Sequence, residues 1–284
     1  MKVTGPLRRP RLSTSLKWLQ GAVAVGFGLV AYAYVTLPDV RPLAAANPTT
    51  TAFMELRTRE AAAEGKALKR VHRWVGYSRI SQHLKRAVLV AEDASFWDHE
   101  GVDYDELQKS IELDWTRGYL RGASTITQQL AKNLYLSPSR NPIRKFRELI
   151  IARRLEAELE KARIFEIYLN VIEWGDGIYG ADAASRTYFG IPASALSPAQ
   201  AALLAAAIIN PRVLKIDAPS PRLTRRQQLI LKRMGAVTPP EAVKPEIKAP
   251  PVDEFLPLPG QTEEPAHDTP PPARGNDPVA ESKP

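Results

Sequence analysis

The 284-residue chain contains no cysteine. That excludes a structural disulfide, a thiolate nucleophile and a cysteine-bound metal, and leaves an extracytoplasmic location open. Strand-like alternation of apolar and polar residues is scarce, and apolar residues recur instead at helical spacing. There is no internal repeat. No acidic residue precedes Asp39, and no charged residue of either sign lies between Trp18 and Leu37. Charge elsewhere is uneven. The chain carries a net +8, but residues 238–284 hold nine acids and four bases, a net of −5, so residues 1–237 carry +13. A basic folded part suits phosphate groups, acidic lipid headgroups or nucleic acid.

A hydrophobic content of 44% is enough for one sizeable core. The uncharged run Trp18–Leu37 matches the thickness of a bilayer core at helical rise. Trp18 at one end and Tyr32 and Tyr34 near the other suit interfacial anchoring. Lys2, Arg8, Arg9, Arg11 and Lys17 precede it, a bias that places the N-terminus in the cytoplasm and the remainder outside. A cleaved signal peptide with Ala44-Ala45-Ala46 as its processing site is the competing reading, but the apolar run exceeds a usual signal core. The chain therefore reads as a basic cytoplasmic tail (1–17), a transmembrane helix (18–37), a linker (38–49) with Pro38, Pro42 and Pro48, a helical domain (50–237) and a tail (238–284). That tail holds about half of the 25 prolines and many acids, a composition that resists ordered packing.

Two predicted helices carry polar groups in unusual places. In the first, Ile126, Leu130 and Leu134 form an apolar stripe, while Thr125, Gln129 and Lys132 fall on a separate polar one. That second stripe is either a solvated face or a surface for a polar ligand. The second helix begins after Asn141, a good N-cap, with Pro142 in its first turn, and runs to about Lys161. Glu148 lies on one face with Ala152, Leu155 and Leu159. With Arg144 one turn earlier, it is either half of a structural ion pair or a carboxylate at the lip of a cleft.

Five motifs occur in order. They are Glu92-Asp93-x-x-Phe96-x-x-His99-x-Gly101; Gly122-x-Ser124-Thr125-x-Thr127-Gln128-Gln129-Leu130-x-Lys132-Asn133; and Arg144-Lys145-x-x-Glu148 with Glu156 downstream. A fourth is Ile164-x-Glu166-x-Tyr168-Leu169-Asn170 followed by Gly175, Gly180, Ala184 and Tyr188-Phe189-Gly190. The last is Leu196-Ser197 leading into an Ala/Leu-rich helix that ends at Asn210-Pro211. With these motifs the chain resembles the peptidoglycan glycosyltransferases, most closely their monofunctional, membrane-anchored branch, over roughly Lys85 to Pro211. Ala123 stands where many members have a second glycine, and Gln200 where a glutamate is common, a position that reads as helix packing. Nothing after residue 211 reads as the serine-dependent transpeptidase domain of the bifunctional relatives.

The resemblance implies a mainly α, lysozyme-like, two-lobed helical domain preceded by one transmembrane helix. It implies polymerisation of lipid-linked disaccharide-peptide (lipid II) into β-1,4 glycan, with inversion and a polyprenyl diphosphate leaving group. Such a reaction needs a base for the acceptor hydroxyl and cations for the diphosphate. By resemblance Glu92 is that base, and Asp93 either raises its pKa or orients it. Lys132, Arg140 and Arg144 are the diphosphate candidates, and Thr125 and Gln129 share the Lys132 face. Ser124, Gln128 and Asn133 belong to the same substrate-facing motif. Phe96 and His99 read mainly as packing and loop-fixing groups. Glu148 has three open roles: catalytic orientation of the donor sugar, positioning of the cations, or a ligand for Mg2+ or Mn2+ at the diphosphate. No organic cofactor is implied. The implied partners are lipid II, the growing glycan strand, the inner membrane and proteins of wall synthesis or division. Nucleic acid is disfavoured by the topology. A lytic glycan hydrolase would not need the Thr-Gln-Lys stripe, and a non-catalytic scaffold would not need Glu92.

Overall fold

Side-chain caps decide where most of the helices begin. The computed structural model describes residues 14–66, 70–108, 124–137, 141–236 and 239, all within one unit, Met1–Val243. Arg140, the Gly122-Ala123 pair, the first thirteen residues and the acidic tail beyond Pro239 lie outside the described residues. Helix α1 spans Thr14–Val35 and α2 spans Ala52–Ala63, whose N-cap Thr51 accepts from the Met54 amide. Ser81 caps α3 (Gln82–Glu92), and Thr125 caps α4 (Ile126–Tyr135) by accepting from Gln128 N at 3.2 Å. Asn141 caps α5 (Pro142–Glu158) through Ile143 N at 2.9 Å, as its sequence predicts. Helix α6 follows at Lys161–Val171 and α7 at Ala181–Phe189. Ser197 and Gln200 form a reciprocal capping box at α8 (Pro198–Ala207), so Gln200 closes a helix end rather than packing in the core. Ser220 caps α9 (Pro221–Arg233).

The architecture is mainly helical, as expected. Helix α4 packs against α2, α5 and α6, while α3 packs against α8 and α9. The predicted apolar stripe of α4 is the core: Ile126 and Leu130 have no exposed surface and Leu134 is 6% exposed. Three short strands form one mixed sheet in the order β1–β3–β2: β1 (Val71–His72) pairs parallel with β3 (Ile178–Tyr179), and β2 (Glu173–Gly175) antiparallel to it. Asn170 joins this sheet to α6. Its buried amide accepts from Val75 N and donates to Val75 O and Glu166 O, all at 2.8 Å.

The N-terminal region differs from its sequence reading. Helix α1 starts before Trp18 and stops at Val35, and the last residue of the predicted span, Leu37, belongs to the hydrophobic core. Among the described residues no helix is long and apolar enough to cross a membrane. The stretch read as a linker is packed. Val40 and Leu43 are buried, Arg41–Ala44 makes a 3₁₀ turn, and Arg163 donates to Leu43 O, Ala46 O and the Asn47 side chain at 2.8–2.9 Å. The prolines there shape a turn; they do not free the chain.

Gly180 marks the tightest backbone approach. It holds φ +89°, and a Cβ would meet Asn170 O at 2.9 Å and Arg73 O at 3.0 Å. Both neighbours are backbone, so neither can swing away. Gly180→Ala is expected to lower stability by about 2 kcal/mol or more, a fall in Tm of roughly 4–8 °C. Thermal unfolding of the full chain checks this; a Tm within 1 °C of wild type, by that same scaling, would show that the Asn170 junction yields.

Candidate active site

The site begins at the C-terminus of α3. Glu92 is the last residue of that helix, and its side chain is only 12% exposed. Its Oε2 accepts from Gln129 Nε2 at 3.0 Å, and Oε1 from Arg226 Nη2 at 3.4 Å. Arg226, on α9, also donates to Ala91 O at 3.3 Å. Tyr168, buried on α6, donates its hydroxyl to Gln129 Oε1 at 2.9 Å, which fixes the orientation of that amide. Burial pushes the Tyr168 hydroxyl pKa well above its ordinary value, so it stays a donor. Burial is also the main reason that the Glu92 pKa is raised. Gln129, Arg226 and Lys132 pull it down in part, and Asp93 adds a smaller upward push.

Asp93 has a mechanical task. Its carboxylate accepts from the amide of Ile126, the first residue of α4, at 2.9 Å. His99 Nδ1 accepts from Gly101 N at 3.2 Å, so Nε2 carries the hydrogen and faces both Asp93 oxygens at 3.1 Å. A carboxylate at a helix N-terminus gains from the free amides and from the dipole. Gly101 closes the loop at φ +82°, where a Cβ would press on Glu156 and Ala152. Its carbonyl accepts from the Thr125 hydroxyl at 2.7 Å and from Gln128 Nε2 at 3.2 Å. Phe96 is fully buried beneath, with ring centroids 4.9 Å from Trp97 and 5.6 Å from Phe165. Thr125, predicted on the ligand stripe, thus points inward and fastens the loop. Gln129, from the same stripe, does face the carboxylate, and the charge of Lys132 is near enough to act on it.

Lys132 is the cation nearest in role to Glu92. Its side chain makes no hydrogen bond or ion pair among the described residues. Burial lowers its pKa, as do neighbouring Arg144 and Lys145, while Glu148 and Glu92 oppose the shift. Glu148 is 3% exposed and lies with Ala152 and Leu155 on a buried face, as its spacing predicts. Arg144 Nη1 meets its Oε2 at 2.5 Å, and Lys145 Nζ its Oε1 at 2.5 Å. Lys145 also donates to Gln128 Oε1 at 3.0 Å and to Ser124 Oγ at 3.4 Å. Asn133 turns back to donate to Gln129 O at 2.8 Å, an i−4 bond within its own helix. Ser124 and Gln128 therefore organise Lys145. Glu92, Asp93, Ser124 and Thr125 line one cavity of about 250 Å³.

Two residue sets fit the requirements of a divalent cation poorly. Both Glu148 oxygens are held by cations, and an ion there would have to displace one. Asp93, His99 and Asp103 bring three ligand atoms within 4.8 Å of one another, but both His99 nitrogens are already engaged, and Asp103 accepts from Ser95.

Sequence reading missed Arg226, Lys145 and Tyr168 as members of the site. Lys145 and Tyr168 sit inside quoted motifs, and the three- and four-residue spacing to Glu148 could have found Lys145. Arg226 lies 134 positions from Glu92. Its only local signal is that α9 carries five basic residues and no acid.

Comparison with known proteins shows the family. The sequence matches the transglycosylase family over residues 59–235. It is 50% identical over 193 residues to a biosynthetic peptidoglycan transglycosylase of Nitrosomonas eutropha, covering 66% of this chain and 78% of that one. It is 48% identical over 195 residues to one from Laribacter hongkongensis, covering 68% and 86%. A third, from Azoarcus sp. strain BH72, is 46% identical over 233 residues, covering 81% of this chain and 100% of the relative. The chain belongs to the transglycosylase family, alongside these biosynthetic peptidoglycan transglycosylases.

Proposed function

We propose that this chain is a peptidoglycan glycosyltransferase that polymerises lipid-linked disaccharide-peptide into β-1,4 glycan strands, with polyprenyl diphosphate as the leaving group. The observation that carries the reading is Glu92: a buried carboxylate of raised pKa, held by Gln129 and Arg226 and within the field of an unpaired Lys132. A sugar hydroxyl needs a base as its oxygen bonds to the anomeric carbon. Glu92 takes that proton, and its raised pKa makes it a stronger acceptor than an exposed carboxylate. The bond to the diphosphate breaks on the opposite face, which inverts the configuration.

The departing diphosphate gains charge as it leaves and needs fixed cations. Lys132 supplies one without first giving up a partner. Arg144 and Lys145 supply two more, held in place by Glu148. Glu148 is thus a positioning residue for the cations in this mechanism. The family's lysozyme-like, two-lobed shape would set the donor and acceptor on either side of Glu92.

The same reading puts the domain at the outer face of the inner membrane, on a retained N-terminal anchor. Support comes from the uncharged run Trp18–Leu37 and from the exposure of Trp18 (77%), Phe27 (75%) and Val35 (81%) along α1. Helix α1 has 22 residues, roughly 33 Å at helical rise. The anchor rests on that uncharged run, since α1 as described is not both long and apolar enough to cross a membrane.

Replacing Glu92 with Gln should reduce polymerisation of lipid-linked substrate by roughly 10²–10⁴-fold. Glu92 has a raised folded-state pKa, so its ionisation opposes folding as pH rises above the ordinary value of 4.5, and not below it. The Tm of Glu92→Gln relative to wild type should therefore be higher at pH 7 than at pH 4. Full activity in this variant would falsify the assigned base. A relative Tm independent of pH would remove the buried-carboxylate argument.

Lys132→Met keeps the stem of the side chain and deletes its charge. It should cut kcat/KM by roughly 10²–10³-fold, while Tm holds steady or rises, because a half-buried cation without a partner opposes folding. An unchanged turnover, or a loss of turnover explained by a falling Tm, would take Lys132 out of the diphosphate site.

A further inference from the structure

The end of α1 is joined to the helix that carries two of the diphosphate cations. Arg147, on α5, donates from Nη2 to Thr36 O at 2.9 Å. Two turns further along the same face of α5, Arg154 lies over the Tyr34 ring, its guanidinium carbon 4.6 Å from the centroid. The chain has no slack beyond this junction. Val35 ends α1, and Leu37 already belongs to the hydrophobic core. Val40 and Leu43 follow it there, and Arg163 holds the backbone at Leu43 and Ala46. A tether that let the domain wander would need a flexible stretch at this point, and only Thr36 stands between the helix and the core.

Distance along α5 gives the junction its meaning. Arg144 and Lys145 precede Arg147 by less than one helical turn, about 3–4.5 Å of rise. One headgroup layer of a bilayer is roughly 5–8 Å thick, half the difference between the whole bilayer and its hydrocarbon core. The offset is smaller than that layer whatever the tilt of α5. A lipid-linked diphosphate sits in the headgroup layer, because its isoprenoid tail lies in hydrocarbon where its charge cannot follow. The exposed rings of Tyr32 and Tyr34 suit the same layer at the end of α1. Ile143 and Phe146, beside the cations, are 59% and 45% exposed, large apolar side chains that the interface would cover.

We propose that the α1–α5 junction is a depth register: Arg147 and Arg154 fix α5 to the end of the anchor, so that Arg144 and Lys145 meet the substrate diphosphate at the level of the bilayer's own phosphates. Arg147 and Arg154 are positioning residues, which act through the helix that carries the cations. The proposal rests on the glycosyl-transfer reading and on the retained anchor. A substrate embedded in a bilayer changes height only by exposing its tail or burying its charge, and both are costly. In a detergent micelle the amphiphiles rearrange around enzyme and substrate, and height is not imposed. The register therefore matters in the bilayer and not in the micelle.

The test compares the full chain in phosphatidylcholine vesicles with the full chain in detergent, using lipid-linked disaccharide-peptide in both. Zwitterionic vesicles remove any attraction of the two arginines to anionic lipid. Arg147→Ala/Arg154→Ala should lose about tenfold or more of its rate in vesicles and stay within about twofold of wild type in detergent, because a misplaced reacting group costs that much where it cannot readjust. Tyr34→Ala changes a side chain that is 60% exposed, spares the core, and should show the same split. Depth is read separately. The chain has no cysteine, so Ile143→Cys accepts a single fluorophore. Lipids brominated near the headgroup should quench it, and should quench it less when Arg147 and Arg154 are also replaced. No loss in vesicles, an equal loss in detergent for Tyr34→Ala, or unchanged quenching would overturn the register. A wild-type chain stripped from vesicles by alkaline carbonate would sink the anchor and the register together. One that stays bound yet does not polymerise would count against the activity, and the quenching would still decide the depth.

Discussion

The hydrogen bond from the Ile126 amide to the Asp93 carboxylate is the constraint on which the site depends. It ties the end of α3 to the beginning of α4. It helps to fix Glu92 and Gln129, which sit on two different helices, relative to one another. His99 holds the carboxylate from the other side, and the Gly101 carbonyl returns to Thr125 and Gln128 in the first turn of α4. The loop between Asp93 and Gly101 is thus sewn at both ends to one helix N-terminus. Burying these groups is favourable only because each has a partner. The Phe96–Trp97–Phe165 cluster beneath supplies apolar burial that polar stitching alone cannot.

Charge is distributed around this frame in a graded way. Glu148 is saturated by two cations, whereas Lys132, close enough to feel both glutamates, is saturated by none. A surface ion pair would add little to stability. A half-buried, uncompensated cation does worse, since it opposes folding. Keeping Lys132 unpaired is therefore a sacrifice of stability at the point where an anion is to be bound, the usual trade at functional sites. The raised pKa of Glu92 is the matching concession by the base.

Much of this was legible in the sequence, for local reasons. The Asn141-Pro142 start, the α4 core stripe and the Arg144–Glu148 spacing are properties of single helices, and each appears as read. The motif order identified the family that the comparisons show. Other features were hidden because they depend on packing between distant segments. Thr125 belongs to the polar stripe by angle, yet as an N-cap its side chain turns toward the Gly101 carbonyl. The prolines at 38, 42 and 48 marked a short linker, and only packing shows that Val40, Leu43 and the Arg163 bonds fasten it to the body. Arg226 carries no motif of its own, and only tertiary folding brings it to Glu92.

The bond from Tyr168 to Gln129 has a stereochemical result. A glutamine amide can usually exchange its two ends by a half turn, offering either a donor or an acceptor to a neighbour. Here the tyrosine hydroxyl occupies the amide oxygen, and a half turn would set that oxygen against the carboxylate. The amide is thereby handed. One lone-pair edge of the glutamate is permanently filled and the other is only loosely attended, so incoming protons have a single door. The edge on which the base can take up a proton is thus set by a phenol that does not touch the carboxylate.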